Sequence, residues 1–438
     1  MSGSRAPSYR WFAWALLAVA AGGLALRIAY VLLERRDIDF GGDARFYHEG
    51  ANLLADGKGF ISPFAHDAGR TVESAEHPPL YIVFLAIPSA LRLTSTLSHL
   101  LWSCALGAVT IVLVGLIGRA VAGARVGIVA AALLAVYPDA WMADGSLQAE
   151  TAAMFTTALC VLLAYYCWQR PGWRRFAALG AAIGAAALAR SELVLLVVVL
   201  LLPLALLTPG GDLRLRLRWL GTGALAVLVV VGPWAGYNLV RFREPALLST
   251  QLGALLAAAN CDMTYYGPLL GYFSIPCASE IQEREIRPGL DQSEQDSIYR
   301  REALEYARSH AGRVPVVVAA RPGRVVGLFN PGQQVQIDAF LGPYGVGLTR
   351  TALYSFQAVA LLALAGAIVL RRRRTVPVFP LLAPAGVVLV TVVVTYGLTR
   401  FRFAAMPPLI VLAAVAIEVV IARVRRERAL VSAGERSA

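Results

Sequence analysis

Charge is scarce in this chain. Only 16% of its 438 residues are Asp, Glu, Lys or Arg, against 58% hydrophobic, and the mean hydropathy is +0.61. A soluble globular domain carries about a quarter charged residues, so the composition excludes one and leaves an integral membrane protein. Cysteine is scarce as well, with five in all. Cys104, Cys160 and Cys167 fall in apolar stretches, whereas Cys261 and Cys277 share one polar loop. That pair alone invites a disulfide, the alternative being two unlinked thiols. Walker-type and dinucleotide-binding glycine loops are missing, so a nucleotide donor or ATP-driven transport has no support. His48, His66 and His77 have no regular ligand spacing. No metal site follows from them, although nearby carboxylates leave room for a divalent cation with water. The chain also lacks an internal repeat, and lacks a small-residue cleavage site after its first apolar stretch, which is therefore expected as a retained span.

What the chain has is apolar sequence in about ten or eleven runs, each close to the roughly 20 helical residues that cross about 30 Å of hydrocarbon. Spans are expected near 11–33, 99–118, 124–141, 149–168, 175–190, 191–208, 218–240, 351–370, 376–397 and 404–423. Forty Lys and Arg against 28 Asp and Glu give a net charge of +12. The basic residues cluster at the edges of apolar runs, which argues membrane topology and not nucleic-acid binding. Arg119 with Arg125, Arg170 with Arg174 and Arg175, Arg214 to Arg218, Arg371 to Arg374, and the tail Arg423, Arg425 and Arg426 all fall inside if the segment 79–92 lies at the interface or crosses halfway. The same parity puts 34–78 and 241–350 outside and both termini in the cytoplasm. Three parts are expected: 1–240 as a transmembrane module with the loop 34–78, 241–350 as an extracytoplasmic loop with juxtamembrane helices, and 351–438 as transmembrane hairpins with a basic tail.

Within the first outer stretch, Asp43 to Asp56 reads as a short amphipathic helix with Phe46, Leu53 and Leu54 on its apolar side, ended by Gly57 and Gly59. Asp43 follows Gly41-Gly42 and either caps that helix or serves chemistry. Its neighbours Arg45, Tyr47, His48 and Glu49, with Glu73, Glu76 and His77 at the far end of the stretch, make a dense group of ionisable side chains beside a bilayer. Pro78 and Pro79 force an extended approach to 79–92 and hold His77 at the interface. There its imidazole is either simply solvated or donates to a lipid phosphate. Thr399-Arg400-Phe401-Arg402-Phe403 sits at the outer turn before the last span, where two guanidiniums either snorkel or take a phosphate headgroup. Arg190 and Glu192 are expected as a structural pair, while Asp139, Asp144 and Glu150 stay open between structure and chemistry. In the second outer stretch, Cys261 to Cys277 forms an apolar loop, Asp291 to His310 a helix, and Val316 to Phe329, broken by Arg321, Pro322 and Arg324, a surface helix or re-entrant piece.

Asp43-Ala44-Arg45-Phe46-Tyr47, the stretch from Leu53 to Phe60 with Gly57-Lys58-Gly59, and His77-Pro78-Pro79-Leu80-Tyr81 resemble the first outer loop of the GT-C glycosyltransferases. The likeness is to the bacterial polyprenyl-phosphate-sugar-dependent type related to protein mannosyltransferases and the lipid A aminoarabinose transferase. Leu188 to Glu192 and Arg400 to Phe403 with Pro407 extend it, and Ala259 to Cys261 with Tyr265 to Pro268 look like an actinobacterial branch. The resemblance implies an all-α polytopic bundle of GT-C type in the plasma membrane, with interfacial helices in its outer loops. It implies an inverting transferase that moves a sugar, mannose or arabinose, from a polyprenyl-phosphate donor to a glycan, glycolipid or protein acceptor on the outer face.

Carried over by position, Asp43 becomes the catalytic base, and His77, Arg400 and Arg402 become ligands of the donor phosphate. Tyr47, His48, Glu76, Tyr265 and Tyr266 become candidate sugar contacts, and membrane lipids are partners throughout. Some relatives have two adjacent acidic residues where this chain has Asp43-Ala44, so the resemblance offers no acidic partner for a metal. Two other classes stand against this reading. A transporter or flippase of a lipid-linked glycan predicts polar residues at mid-span, and a non-catalytic scaffold predicts no cavity beside Asp43.

Overall fold

In a computed structural model describing residues 9–434, the chain is an all-helical bundle. The chain ends, 1–8 and 435–438, expected on the cytoplasmic side, lie outside the described residues. The helices are α1 (Tyr9–Tyr30), α2 (Gly42–Ala55), α3 (Leu80–Ala90), α4 (Thr96–Ala122), α5 (Ala124–Val136), α6 (Pro138–Asp144), α7 (Glu150–Gln169), α8 (Trp173–Ala189), α9 (Ser191–Leu207) and α10 (Leu213–Arg241). They continue with α11 (Leu252–Ala259), α12 (Ile275–Glu285), α13 (Gln292–Ser309), α14 (Val314–Val325), α15 (Pro331–Leu341), α16 (Val346–Arg373), α17 (Phe379–Val394), a tight 3₁₀ turn (Thr399–Ala405) and α18 (Met406–Gly434).

Each expected span falls on one of these helices, except 124–141, which falls on two. Among the described residues, six helical stretches are long and apolar enough to cross a membrane, namely those containing α1, α4, α7, α10, α16 and α18. The expected span 124–141 is a bent pair, α5 and α6, with 58° between them. Its cause is Pro138, which has no N–H to give and which opens α6 as its first residue. The expected half-crossing segment is α3, an 11-residue helix, about 16 Å long at 1.5 Å per residue and too short to span.

One core joins α1, α4, α5, α7, α16 and α18 through Leu16, Ile111, Leu134, Val161, Val359 and Ile410. A second joins α7 to α10, where Phe176 and Trp219 stack at 5.3 Å. Outward, large apolar side chains on α10 (Leu228, Val229) and α16 (Leu361, Leu364) are exposed, as lipid contact requires and water does not favour. This is a multi-pass membrane protein.

Helices α11 to α15 form a cap over one end of the bundle. Cys261 and Cys277 are joined by a disulfide 16 residues apart in sequence. Asp291 caps α13 by accepting from Ser293 N at 2.8 Å and Glu294 N at 3.0 Å, while Glu294 accepts in return from Asp291 N at 2.9 Å. Segment 316–329 is mostly α14, and the arginines that interrupt its apolar run are buried. Arg321 donates to Val393 O at 2.7 Å, satisfying the last turn of α17, and Arg324 donates to Leu270 O at 2.6 Å. The first contact ties the cap to the bundle and the second holds α14 within the cap.

Candidate active site

Two glycines open α2: Gly41 is the N-cap residue and Gly42 begins the helix at φ +53°, so Asp43 enters in the first turn without capping it. Its carboxylate turns to other partners. Oδ2 accepts from Arg400 Nη1 at 3.1 Å, and Oδ1 lies 3.6 Å from His77 Nε2. Pro78 and Pro79 lead directly into α3 and bring His77 back against α2. One helical turn beyond Asp43, Tyr47 lies on the same face, and its ring packs 4.8 Å from the His77 ring with Phe46 at 5.0 Å on the edge. His77 is buried, and its Nε2 has no hydrogen-bond partner.

From Asp43 the contacts run on through Arg400. Its Nε donates to Glu150 Oε1 at 2.8 Å and its Nη2 to Gln148 Oε1 at 2.6 Å. The same Glu150 oxygen accepts from Arg190 Nη1 at 2.8 Å, and Arg190 Nε donates to Glu192 Oε1 at 2.6 Å. Asp43, His77, Arg400, Gln148, Glu150, Arg190 and Glu192 thus form one chain of contacts between α2 and the junctions α6–α7, α8–α9 and α17–α18. Burial opposes ionisation of Asp43, but the His77 and Arg400 contacts outweigh it and hold the carboxyl well below its ordinary range. Burial, joined by the charges of Asp43 and Glu150 and opposed by Arg190 and Arg400, raises the Tyr47 phenol well above its usual value and keeps it neutral, and burial also raises Glu76.

Arg400 and Arg402 read as a pair in sequence, and the fold separates them. They lie in a 3₁₀ turn, where each residue advances about 120° and positions two apart face different ways. Arg402 donates to Asp139 Oδ2 at 2.7 Å and 3.2 Å, and its guanidinium lies 4.3 Å from the Phe356 ring. The expected second phosphate ligand is therefore a buried partner of Asp139, away from Asp43.

His48 also departs from expectation. It faces α4, with Nδ1 3.0 Å from His99 Nδ1, because the next position along α2 points about 100° away from Tyr47. Tyr265 is 1% exposed and spends its hydroxyl on Asn260 Oδ1 at 2.7 Å, which makes it cap core. Tyr266 is exposed, with the Arg313 guanidinium 5.3 Å from its ring. Glu76 accepts from Gln251 Nε2 at 3.3 Å, linking the first loop to the cap.

Three more residues join the site: Gln148, which was not singled out, Glu150, which stayed open between structure and chemistry, and Arg190, expected only as the structural partner of Glu192. The available signal was an acidic residue opening one span and the Arg190-Ser191-Glu192 junction at the same end of the bundle. Tyr396, buried just before the 3₁₀ turn, feels the charges of Arg400, Arg190 and Asp43. Among the described residues no three His, Cys, Asp or Glu side chains gather as a metal site would need. Asp43 and Glu150 both accept from the Arg400 guanidinium.

The dolichyl-phosphate-mannose-protein mannosyltransferase family matches residues 76–237, a stretch that contains His77, Glu150 and Arg190. No curated protein matches the sequence. Among solved structures, the Archaeoglobus fulgidus oligosaccharyltransferase in its apo form superposes at a TM-score of 0.56 with 16% identity, over 97% of this chain and 52% of that one. The same figures hold for that enzyme in complex with an inhibitory peptide and a dolichol-phosphate. ArnT from Cupriavidus metallidurans bound to undecaprenyl phosphate gives a TM-score of 0.46 at 16% identity, over 94% of this chain and 78% of that one. The chain spans about half the length of the oligosaccharyltransferase. Its fold is that of the oligosaccharyltransferase's matching half.

Proposed function

On that fold, we propose that the chain is an inverting membrane glycosyltransferase that moves a sugar from a polyprenyl-phosphate donor to a hydroxyl of a cell-envelope glycan, glycolipid or protein. The observation that carries the proposal is the meeting of Asp43 with His77 and Arg400, a carboxylate beside two groups suited to a phosphate, where the cap meets the bundle. The family match over 76–237 and the dolichol-phosphate held by a protein of the same fold support a lipid-phosphate donor.

The donor's isoprenoid tail lies against the apolar helices, and its phosphate is taken by Arg400 and by His77 when protonated. Asp43 accepts the proton of the acceptor hydroxyl as its oxygen attacks C1 of the sugar. The C1–oxygen bond to phosphate breaks, and polyprenyl phosphate leaves against the fixed positive charge of Arg400. One displacement needs one base and inverts the anomeric centre. Glu150, Gln148 and Arg190 position Arg400, and Tyr47 packs His77 in place. Mannose and arabinose are the proposed sugars, and the proposed site faces the outside of the cell with the arginine-rich loops within.

The test is transfer by purified protein from a panel of polyprenyl-phosphate sugars to extracted envelope acceptors, with the product's anomeric configuration read by NMR. One donor giving a product inverted at C1 supports the proposal. Retention of configuration contradicts it, as does movement of a lipid-linked sugar across vesicles without any transfer.

A further inference from the structure

Both arginines of this site, Arg400 and Arg190, are already paired with carboxylates. Arg400 divides its donors among Asp43, Glu150 and Gln148, and Arg190 divides its own between Glu150 and Glu192. Three carboxylates face two guanidiniums. A phosphate arriving at Arg400 therefore meets a guanidinium whose charge is already shared by two carboxylates and competes with them for it. The three acceptors of Arg400 are not equally held. The Glu150 side chain is 3% exposed and is pinned by two arginines, whereas the Asp43 side chain is 34% exposed and touches Arg400 through one bond at 3.1 Å. Beside it, the buried and otherwise unpartnered Nε2 of His77 lies 3.6 Å from Asp43 Oδ1.

We infer that the donor phosphate and Asp43 compete for Nη1 of Arg400, so that the resting Asp43–Arg400 pair is a lock that donor binding opens. The inference rests on the reading of Arg400 as a donor-phosphate ligand. No covalent bond changes in the exchange: one N–H moves from a carboxylate oxygen to a phosphate oxygen, while Glu150 and Gln148 keep the guanidinium in place. Its consequence is an order of events. Before the donor arrives, Asp43 is paired with a cation and is a poor proton acceptor. After it arrives, Asp43 has lost that partner and is the stronger base. An acceptor hydroxyl is then activated only beside a bound donor, which protects the donor from unproductive attack.

Undecaprenyl phosphate is the probe, with undecaprenol as its phosphate-free control. Binding to the full chain in phosphatidylcholine nanodiscs is measured for wild type, Asp43→Asn, Arg400→Gln and the double variant. Asp43→Asn is expected to bind undecaprenyl phosphate about tenfold tighter than wild type, with undecaprenol unaffected. In the Arg400→Gln background the same change is expected to bring little gain. Equal affinity of wild type and Asp43→Asn overturns the lock. So does a gain that persists undiminished without Arg400, because that is general relief of charge repulsion. Failure of all four proteins to bind overturns the donor reading itself and the lock with it. Asp43→Ser makes the same comparison if the Asn variant does not fold.

Discussion

Asp338, on α15, accepts from Thr399 Oγ1 at 2.8 Å and from Gln334 Nε2 at 2.9 Å, beneath the turn that carries Arg400. Burial raises its carboxyl to about 6, more than these hydrogen bonds and Arg402 lower it. Between about pH 4 and pH 6 the folded chain then holds a proton that the unfolded chain releases, so stability falls as pH rises through that window. Asp338→Asn removes the titration and can still bond both neighbours. A flatter thermal-stability profile from pH 4 to pH 6 and a higher melting temperature than wild type at pH 7 are expected. Parallel profiles of the two proteins contradict the assignment.

Residues of this kind are poorly legible in a sequence. Asp43 and His77 stood out because glycines and prolines punctuate the chain beside them. Arg400 and Arg402 looked equivalent because nothing local announces a 3₁₀ turn. Arg321 and Arg324 read as breaks in an apolar run, and their use as donors to backbone carbonyls of other elements depends on contacts far along the chain.

At the scale of elements, small residues decide how closely helices approach. A Cβ added to Gly366 on α16 would fall on the Leu412 carbonyl of α18, and one added to Gly180 on α8 would fall on the Gly223 carbonyl of α10. Backbone cannot yield there as a side chain does. Gly366→Ala is expected to separate α16 from α18 and to destabilise the fold by about 1–3 kcal/mol, read as a lower melting temperature in detergent. An unchanged melting temperature contradicts that packing. Helices themselves were legible wherever a long apolar run ended in arginine or glycine. The bend at Pro138 was not, because the run 124–141 stays apolar through it. That bend matters for the site, since α6 holds Asp139 against Arg402 and leads through Gln148 into Glu150.

For the whole molecule, the arrangement of charge predicts the sidedness of the chain. Arg371 to Arg374 close α16 at one end of the bundle, and exposed residues of the cap such as Glu283 lie at the other. The bias of arginine towards the cytoplasm predicts a cap on the outside, as proposed above. The native cysteines do not interfere with labelling, because Cys104, Cys160 and Cys167 are buried and the other two are bonded. A membrane-impermeant maleimide is expected to label Glu283→Cys in intact cells and Arg372→Cys only after permeabilisation. The reverse pattern contradicts an outward-facing site.

The bundle, the cap and the buried network all converge on one carboxylate. The most direct measurement is therefore the initial rate of sugar transfer from polyprenyl phosphate by wild type and by Asp43→Asn, with undecaprenyl phosphate binding measured on the same preparations. A general base contributes about 10²–10⁴-fold, so the account predicts a rate at least about a hundredfold lower in a variant that still binds the lipid phosphate. Normal turnover in Asp43→Asn contradicts it.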